Sequence, residues 1–385
     1  MDTVSLDHEQ PASAGYAVEY GSGKTELRGA WPPAFTLAVA DERSLERILK
    51  EDAYSAALGF IRGDYSISGD LVAAMRLKQR YSGRTFLHAL WTLAVKFAPG
   101  RLETWFQSRS RAARNIRFHY DISNDFYGAF LDSRRVYSAG CFDNPSWSLE
   151  QAQEARLEGI CRDLDLRPGE RFLDVGCGWG GLLMHAAERH GVCATGCTLS
   201  HRQWEFADSA IGARRLRSHA AAWEVDYRDI SGEFDKISSI GMFEHVGRRR
   251  LGNYFRKIHS LLKPGGRFLN SGITRPQLVD DDPQTWFLLK RVFPGGELAH
   301  LSDVVRNAEG AGFGVVEIRS HRLDYGRTCR EWVERLRQKR DVCRNLVGDE
   351  TYRTWLLYLS ASALSFETGQ TDVFSLLMTK GAPAK

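Results

Sequence analysis

In the second half of the chain, apolar residues fall into short unbroken runs separated by longer stretches of helical period. Arg171 to Val175 reads as a buried parallel strand, and Trp179 to His190 places apolar residues at helical spacing. The alternation continues with a strand at Val192 to Cys197, a helix carrying Gln203 and Trp204, and a third strand ending near Asp226. A fourth strand spans Phe234 to Gly241; Lys263-Pro264-Gly265-Gly266 then ends a helix, and Arg267 to Thr274 forms the fifth strand. A helix over Leu149 to Leu164 leads into the series. This pattern predicts an α/β fold built on a doubly wound parallel sheet. Past Pro276 the reading gives helical segments around Trp286, Asp303 and Trp332, a strand at Val315 to Arg319, a long helix around Trp355 to Phe366 and a last strand at Val373 to Thr379. The helical insertions should lie over the carboxyl ends of the strands, where open α/β sheets bind ligands.

The first half reads differently. Residues 1–15 look unstructured, and 16–83 read as a small α+β domain. Within it Phe35 to Val39 alternates like a strand, Ser44 to Leu49 is helical, and Ala57 to Leu71 is punctuated by glycines and acids. Gly21-Ser22-Gly23-Lys24-Thr25 imitates a phosphate-binding loop, but that motif needs a glycine where Val18 stands, so a hairpin turn is expected. Residues 84–118 form a basic amphipathic linker. Its Arg84, Lys96, Arg101, Arg109, Arg111, Arg114 and Arg117 face the single acid Glu103 and alternate with aromatics such as Trp91, Trp105 and Phe106. Such a stretch suits either a bilayer interface or an ordinary docking helix with a solvated face. Residues 119–385 form the main domain.

At 385 residues, two domains are the expectation. The formal net charge of +4 argues against a dedicated nucleic-acid binder and permits a clustered attraction to an anionic surface. Seven cysteines lack any CxxC pair, so neither a zinc site nor a disulfide framework is indicated and no metal is expected. A reduced cytoplasmic setting fits best. The longest apolar stretch, Phe86 to Ala98, is broken by His88 and Lys96 and is too short to span a bilayer. A soluble or peripheral protein is expected.

The chemistry gathers at Phe172-Leu173-Asp174-Val175-Gly176-Cys177-Gly178-Trp179-Gly180-Gly181, where strand gives way to helix. Glycines let the backbone approach a ligand, and the helix N-terminus offers unpaired N–H groups. Gly176, Gly178 and Gly181 satisfy the dinucleotide fingerprint, but the acid expected about 20 residues on is missing, since the second strand ends in Thr198-Leu199-Ser200. The bland alternative is a tight strand-helix turn. An acid two residues before the first glycine, Asp174, instead resembles the S-adenosylmethionine (SAM) methyltransferase corner.

Further residues carry a family likeness. His119-Tyr120-Asp121 with Asn124 to Tyr127, Tyr137-Ser138, the glycine corner, Thr198-Leu199-Ser200 with Gln203, Asp226-Tyr227-Arg228-Asp229, Gly241 to Gly247, and Tyr325 with Thr328 and Trp332 resemble the cyclopropane fatty acid synthase family. The likeness runs from about Leu58 to Thr379, and Ala57 to Leu71 resembles that family's N-terminal lipid-binding domain. It implies a Rossmann-like SAM methyltransferase sheet. It also implies an enzyme that methylates a cis double bond in a phospholipid acyl chain and then closes a cyclopropane ring by losing a proton. Tyr137, Ser138, Asp174, Gly176, Gly178, Trp179, Gly180, Thr198, Leu199, Gln203, Asp226, Tyr227 and Arg228 stand at the positions that would hold SAM. For Thr198 and Gln203 the plain alternative is a turn hydroxyl and a helix-surface amide.

The catalytic positions carry over in part. In such enzymes bicarbonate serves as base, held by Cys, Glu, His and Tyr side chains and a backbone group. Glu244, Tyr325 and the backbone of Ile273 match, but Ala139 stands at the Cys position and Ser271 at the His position. Cys141 lies two residues along. The base is then either loosely held bicarbonate or Glu244 itself, and ring closure is less assured than methyl transfer. Phe126, Tyr127, Phe142, Phe243 and Tyr325 are candidates to stabilise a cation. The plain alternative for Glu244 and His245 is a pair that caps the next helix or hydrogen-bonds the loop. The implied partner is an unsaturated membrane phospholipid, with a homodimer as a further expectation and peripheral attachment to the membrane's cytoplasmic side. The rival readings are methylation of a soluble amine or polyketide-like molecule, and a non-catalytic SAM- or lipid-binding module.

Overall fold

The computed structural model describes residues 15–81, 114, 120, 122–276, 292 and 297–381. The chain divides into two compact units, Met1–Ala89 and Leu90–Lys385. The expected basic linker, apart from Arg114, and the helix expected around Trp286 lie outside the described residues, as do Met1 to Ala14.

The first unit is α+β. Its strands β1 (Tyr16–Tyr20), β2 (Thr25–Arg28), β3 (Phe35–Val39) and β4 (Ser66–Gly69) form one sheet in the order β2-β1-β3-β4. Gly21 to Lys24 is the turn of the antiparallel β1–β2 hairpin, so the phosphate-loop imitation is a hairpin connection. Helices α1 (Glu42–Lys50), α2 (Ala53–Arg62) and α3 (Leu71–Tyr81) complete the unit. Asp41 and Asp52 cap α1 and α2, their carboxylates accepting from Ser44 and Ser55 N–H at 2.8 and 2.9 Å.

The second unit opens with α4 (Asn124–Phe130) and α5 (Leu149–Leu164). A reciprocal Ser148–Gln151 box starts α5. Alternation follows through β5 (Arg171–Val175), α6 (Gly181–His190), β6 (Cys193–Thr198), α7 (His201–Ala213), β7 (Ala220–Glu224), β8 (Phe234–Ile240), α8 (Leu251–Leu261) and β9 (Leu262–Thr274). After α9 (Leu301–Gly310) and β10 (Phe313–Ser320), three helices, α10 (Arg322–Gln338), α11 (Arg340–Val347) and α12 (Asp349–Glu367), precede β11 (Asp372–Lys380).

The seven strands run in the order β10-β11-β9-β8-β5-β6-β7. Two buried apolar clusters cover the two faces, one built on α8 and α9, the other on α5, α6 and α7. The sheet departs from the expected all-parallel form: β11 pairs antiparallel with both β9 and β10. A strand with both faces buried carries no periodic sign of its direction, so the pattern could not reveal this. β9 also begins five residues before the expected Arg267. Leu262 already pairs with Phe234, and Lys263 to Gly266 form an irregularity before Arg267 pairs with Lys236.

Candidate functional site

The site forms where the strands end. β5 finishes at Val175 and the chain turns at Gly176, whose φ of +81° a side chain would disfavour and whose added Cβ would lie 3.1 Å from Met242 Cγ. The N–H groups of Gly176 and Cys177 both donate to Cys197 O, at 2.9 and 3.0 Å, tying the turn to β6. Gly180 caps α6 in the left-handed region and offers no side-chain hydrogen bond there. The first-turn N–H groups are thereby left for an electron-rich ligand.

Asp174, one residue before the strand's end, is buried and accepts from Ser238 Oγ at 2.6 Å. Burial pushes its carboxyl up to about 6, against the pull of that hydroxyl. At the end of β6, Thr198 Oγ1 donates to Gln203 Oε1 at 2.9 Å. Gln203 Nε2 is then the end of the amide nearer the glycines, 3.9 Å from where a Gly178 Cβ would stand. An oriented amide donor fits a ribose hydroxyl where no carboxylate is present. Beyond β7, Asp226 caps the turn Tyr227–Asp229, and Arg228 binds both of its oxygens, through Nε to Oδ1 at 2.8 Å and through Nη2 to Oδ2. Asp226 therefore meets a ligand as an ion pair with Arg228 rather than as a lone carboxylate.

Tyr137 and Ser138 come from the loop after α4. Tyr137 stacks on Trp332 of α10 with centroids 5.0 Å apart, and meets Tyr120 edge-on at 6.3 Å. Trp179 donates Nε1 to Asn124 Oδ1 at 2.8 Å and packs on Tyr127. Tyr120, Tyr137, Ser138 and Trp179 line, with the glycine corner, a cavity of about 180 Å³. Every residue expected to hold SAM lies on its wall except Gly180, which instead starts α6. The glycine cradle, amide donor and aromatic wall suit an adenosyl group carrying a cationic sulfur.

The expected catalytic residues are less uniformly placed. His245 lines the cavity, with Nε2 3.5 Å from the Tyr120 hydroxyl, and burial lowers it to about 4, so it is neutral near pH 7. Glu244 is buried beside it. Its Oε1 accepts from Ile273 N–H at 2.6 Å, while its Oε2 is buried with no hydrogen-bond partner among the described residues. Burial pushes this carboxyl up to about 7, with the Ile273 N–H pulling the other way. The phenols of Tyr120, Tyr325 and Tyr358 are held protonated by burial first and by the Glu244 charge in addition. Tyr325 stacks on Phe366 at 4.6 Å.

Ser271 is engaged elsewhere. Its hydroxyl accepts from Arg156 Nη2 at 3.2 Å and from Ser375 Oγ at 3.1 Å. Arg156 Nη1 in turn reaches His321 Nε2 at 2.9 Å. Burial lowers Arg156 to about 10, and burial with the Arg156 charge lowers His321 to about 3, so His321 accepts as a neutral ring. Cys141 Sγ meets Asp143 Oδ1 at 3.2 Å, and Ala139 has no polar side chain. The residues therefore do not fit a bicarbonate ion. Two holders are absent, the Ser271 hydroxyl is taken, and the Ile273 N–H is occupied by Glu244 itself.

The cation candidates divide likewise. Phe126 and Tyr127 belong to a packed aromatic cluster with Phe130 and Trp355, and the Arg327 guanidinium covers Phe142 at 3.9 Å. Sequence reasoning missed Tyr358, Arg156 and His321. Tyr358 follows Trp355 by three residues on α12 and reads as ordinary core; Arg156 reads as one charge on an amphipathic helix.

Residues 107–376 match the family described as mycolic acid cyclopropane synthetase. A probable fatty acid methyltransferase of Pseudomonas putida is 34% identical over 354 residues, covering 90% of this chain and 88% of its own. The tuberculostearic acid methyltransferase of Mycobacterium tuberculosis is 34% identical, covering 77% of this chain and 71% of its own. A crystal structure of a mycolic acid cyclopropane synthase complexed with SAH and CTAB superposes with a TM-score of 0.67 at 30% identity, over 70% of this chain and 98% of that one. With the family match covering most of the chain, the chain belongs to the mycolic acid cyclopropane synthetase family of SAM-dependent methyltransferases.

Proposed function

We propose that this enzyme methylates a carbon of a cis double bond in an unsaturated acyl chain of a membrane phospholipid, with Glu244 as the group that takes the proton afterwards. When bound, SAM supplies an electrophilic methyl group on a sulfonium sulfur. Gln203, Thr198 and the glycine corner hold the adenosyl end, and Tyr120, Tyr137 and Trp179 line the cavity with aromatic rings. Methylation of an alkene leaves a carbocation, which a buried carboxylate can relieve by accepting a proton. Loss of that proton from the new methyl group closes a ring; loss from a chain carbon leaves a methyl-branched alkene.

The observation that carries this reading is Glu244 Oε2, a buried acceptor with no hydrogen-bond partner among the described residues, on a carboxyl that burial raises to about 7. At neutral pH about half of such a group is ionised, which poises it as a base. The names of the Pseudomonas and Mycobacterium relatives support a fatty acyl substrate. Among the described residues no helix is long and apolar enough to cross a membrane, and a peripheral position on the cytoplasmic side is proposed with the substrate.

The test incubates the full chain with methyl-labelled SAM and liposomes of cis-unsaturated phospholipid, then releases the acyl chains for mass spectrometry and NMR. One added CH₂ in the lipid is the expected result, with cyclopropyl or vinyl protons naming the product. Label absent from lipid and present on soluble amine acceptors would overturn the substrate. The methylation rate should rise with pH through about 7, because Glu244 acts when deprotonated; a rate flat from pH 5 to 8 would overturn its role.

A further inference from the structure

We propose that the seam between α5 and α6 is a binding site for a soft divalent cation of the zinc class, with Cys161, His185 and His190 as ligands. Cys161 Sγ and one ring nitrogen from each histidine lie within 4.8 Å of one another. A tetrahedral zinc with bonds of about 2.0 to 2.3 Å separates its ligand atoms by about 3.5 Å, so each side chain moves by roughly 1 Å or less to close the set. The ligands come from facing elements: Cys161 is in the last turn of α5, and His185 and His190 lie on α6. No local spacing in the sequence betrays the set, which is why the cysteine count indicated no zinc.

A second observation points to a ligand. His185 is 1% exposed, yet its Nδ1 is buried without a hydrogen-bond partner among the described residues. Its Nε2 is 3.1 Å from Glu158 Oε2, and the same oxygen lies 3.2 Å from His190 Nε2. One carboxylate thus orients both rings. An imidazole that donates one N–H to a carboxylate and leaves its other nitrogen unpartnered has the arrangement of a metal-bound histidine, the carboxylate setting tautomer and ring direction. A polar cluster present only for packing would leave the Nδ1 cost without a return.

The charges also balance. As the metal–sulfur bond forms, the Cys161 thiol proton leaves to solvent. One divalent cation, one thiolate and the Glu158 carboxylate sum to zero, which suits a position where Cys161 and His185 are buried. His190 and Glu158 are partly exposed and provide the solvent path. Bound metal would clasp the end of α6 to α5, and α6 begins at the glycine corner while α5 contributes Leu157 and Ile160 to the cavity wall.

The experiment titrates the chelator-treated full chain with Co²⁺ and then Zn²⁺ under reducing conditions. The expected result is one equivalent of Co²⁺ with a thiolate charge-transfer absorption that Zn²⁺ displaces, and a higher melting temperature with Zn²⁺. C161S should abolish the absorption, and H190Q should weaken binding at least tenfold; His190 is at the helix end, so this variant tests the site with little risk to folding. Absence of stoichiometric binding by the folded wild type, or a charge-transfer band that survives C161S, would overturn the proposal.

Discussion

Glu244→Gln should change the pH dependence of stability in the direction opposite to a paired carboxylate. Burial raises the Glu244 carboxyl from its ordinary 4.5 to about 7 in the folded chain. Between those values the folded state holds a proton that the unfolded state has released, so stability falls as pH rises from about 4.5 and levels off above about 7. The full loss is about 3 kcal/mol at about 1.4 kcal/mol per tenfold, and about 2 to 3 kcal/mol of it falls between pH 5 and pH 8. Glutamine keeps the acceptor for the Ile273 N–H and cannot ionise. It also places an amide donor where Oε2 now stands, at a cost of about 1 to 3 kcal/mol if unpaired, but that cost is the same at both pH values. Urea denaturation followed by tryptophan fluorescence, on both proteins at pH 5 and pH 8, isolates the titration. The variant should gain about 2 to 3 kcal/mol relative to wild type on going from pH 5 to pH 8. A difference that does not change with pH would refute the reasoning and mean that Glu244 is solvated or paired.

Three further substitutions probe the cavity and its support. Gly176→Ala puts a side chain at φ +81° with its Cβ 3.1 Å from Met242 Cγ, and S-adenosylhomocysteine affinity by calorimetry should fall at least tenfold while the strand core remains folded. Thr198→Val removes the hydroxyl that fixes Gln203; the loss of one oriented hydrogen bond, about 1 kcal/mol, should weaken the same ligand by roughly fivefold. An unchanged affinity would mean that Gln203 does not hold the ribose. Gly272→Ala would set a Cβ 2.2 Å from the Phe243 ring, so the ring and the neighbouring Glu244 must shift; a drop of about 1 to 3 kcal/mol in stability with loss of methylation is expected, and a wild-type melting curve would count against it.

Much of the site could be read from the sequence because it is local. The run Asp174-Val175-Gly176 joins a buried strand to a helix within a few residues, and periodicity and glycine placement are properties of consecutive positions. The hydroxyl-amide pair of Thr198 and Gln203 spans one helix start. The strand-helix alternation and the turn at Gly21 to Lys24 were visible for the same reason. What the chain order could not supply were contacts between distant positions. The direction of β11 depends on three helices that return the chain beside β9. Ser271 meets Arg156, 115 residues earlier, and Ser375, 104 residues later, and only their packing shows its hydroxyl to be taken. Glu244 could be singled out in the sequence as a candidate base, but only its burial in the folded chain raises its carboxyl to about 7, because desolvation is set by everything that surrounds a group. The same holds for Cys161, His185 and His190, which no spacing rule unites and two packed helices bring within reach of one another. The sequence by itself showed the strand-helix alternation and the glycine corner, since those rest on patterns along the chain, and its motifs resembled those of a family that uses SAM. Only the tertiary structure decided which side chains meet and which are shut away from water, and those two facts set the acid-base and ligand chemistry.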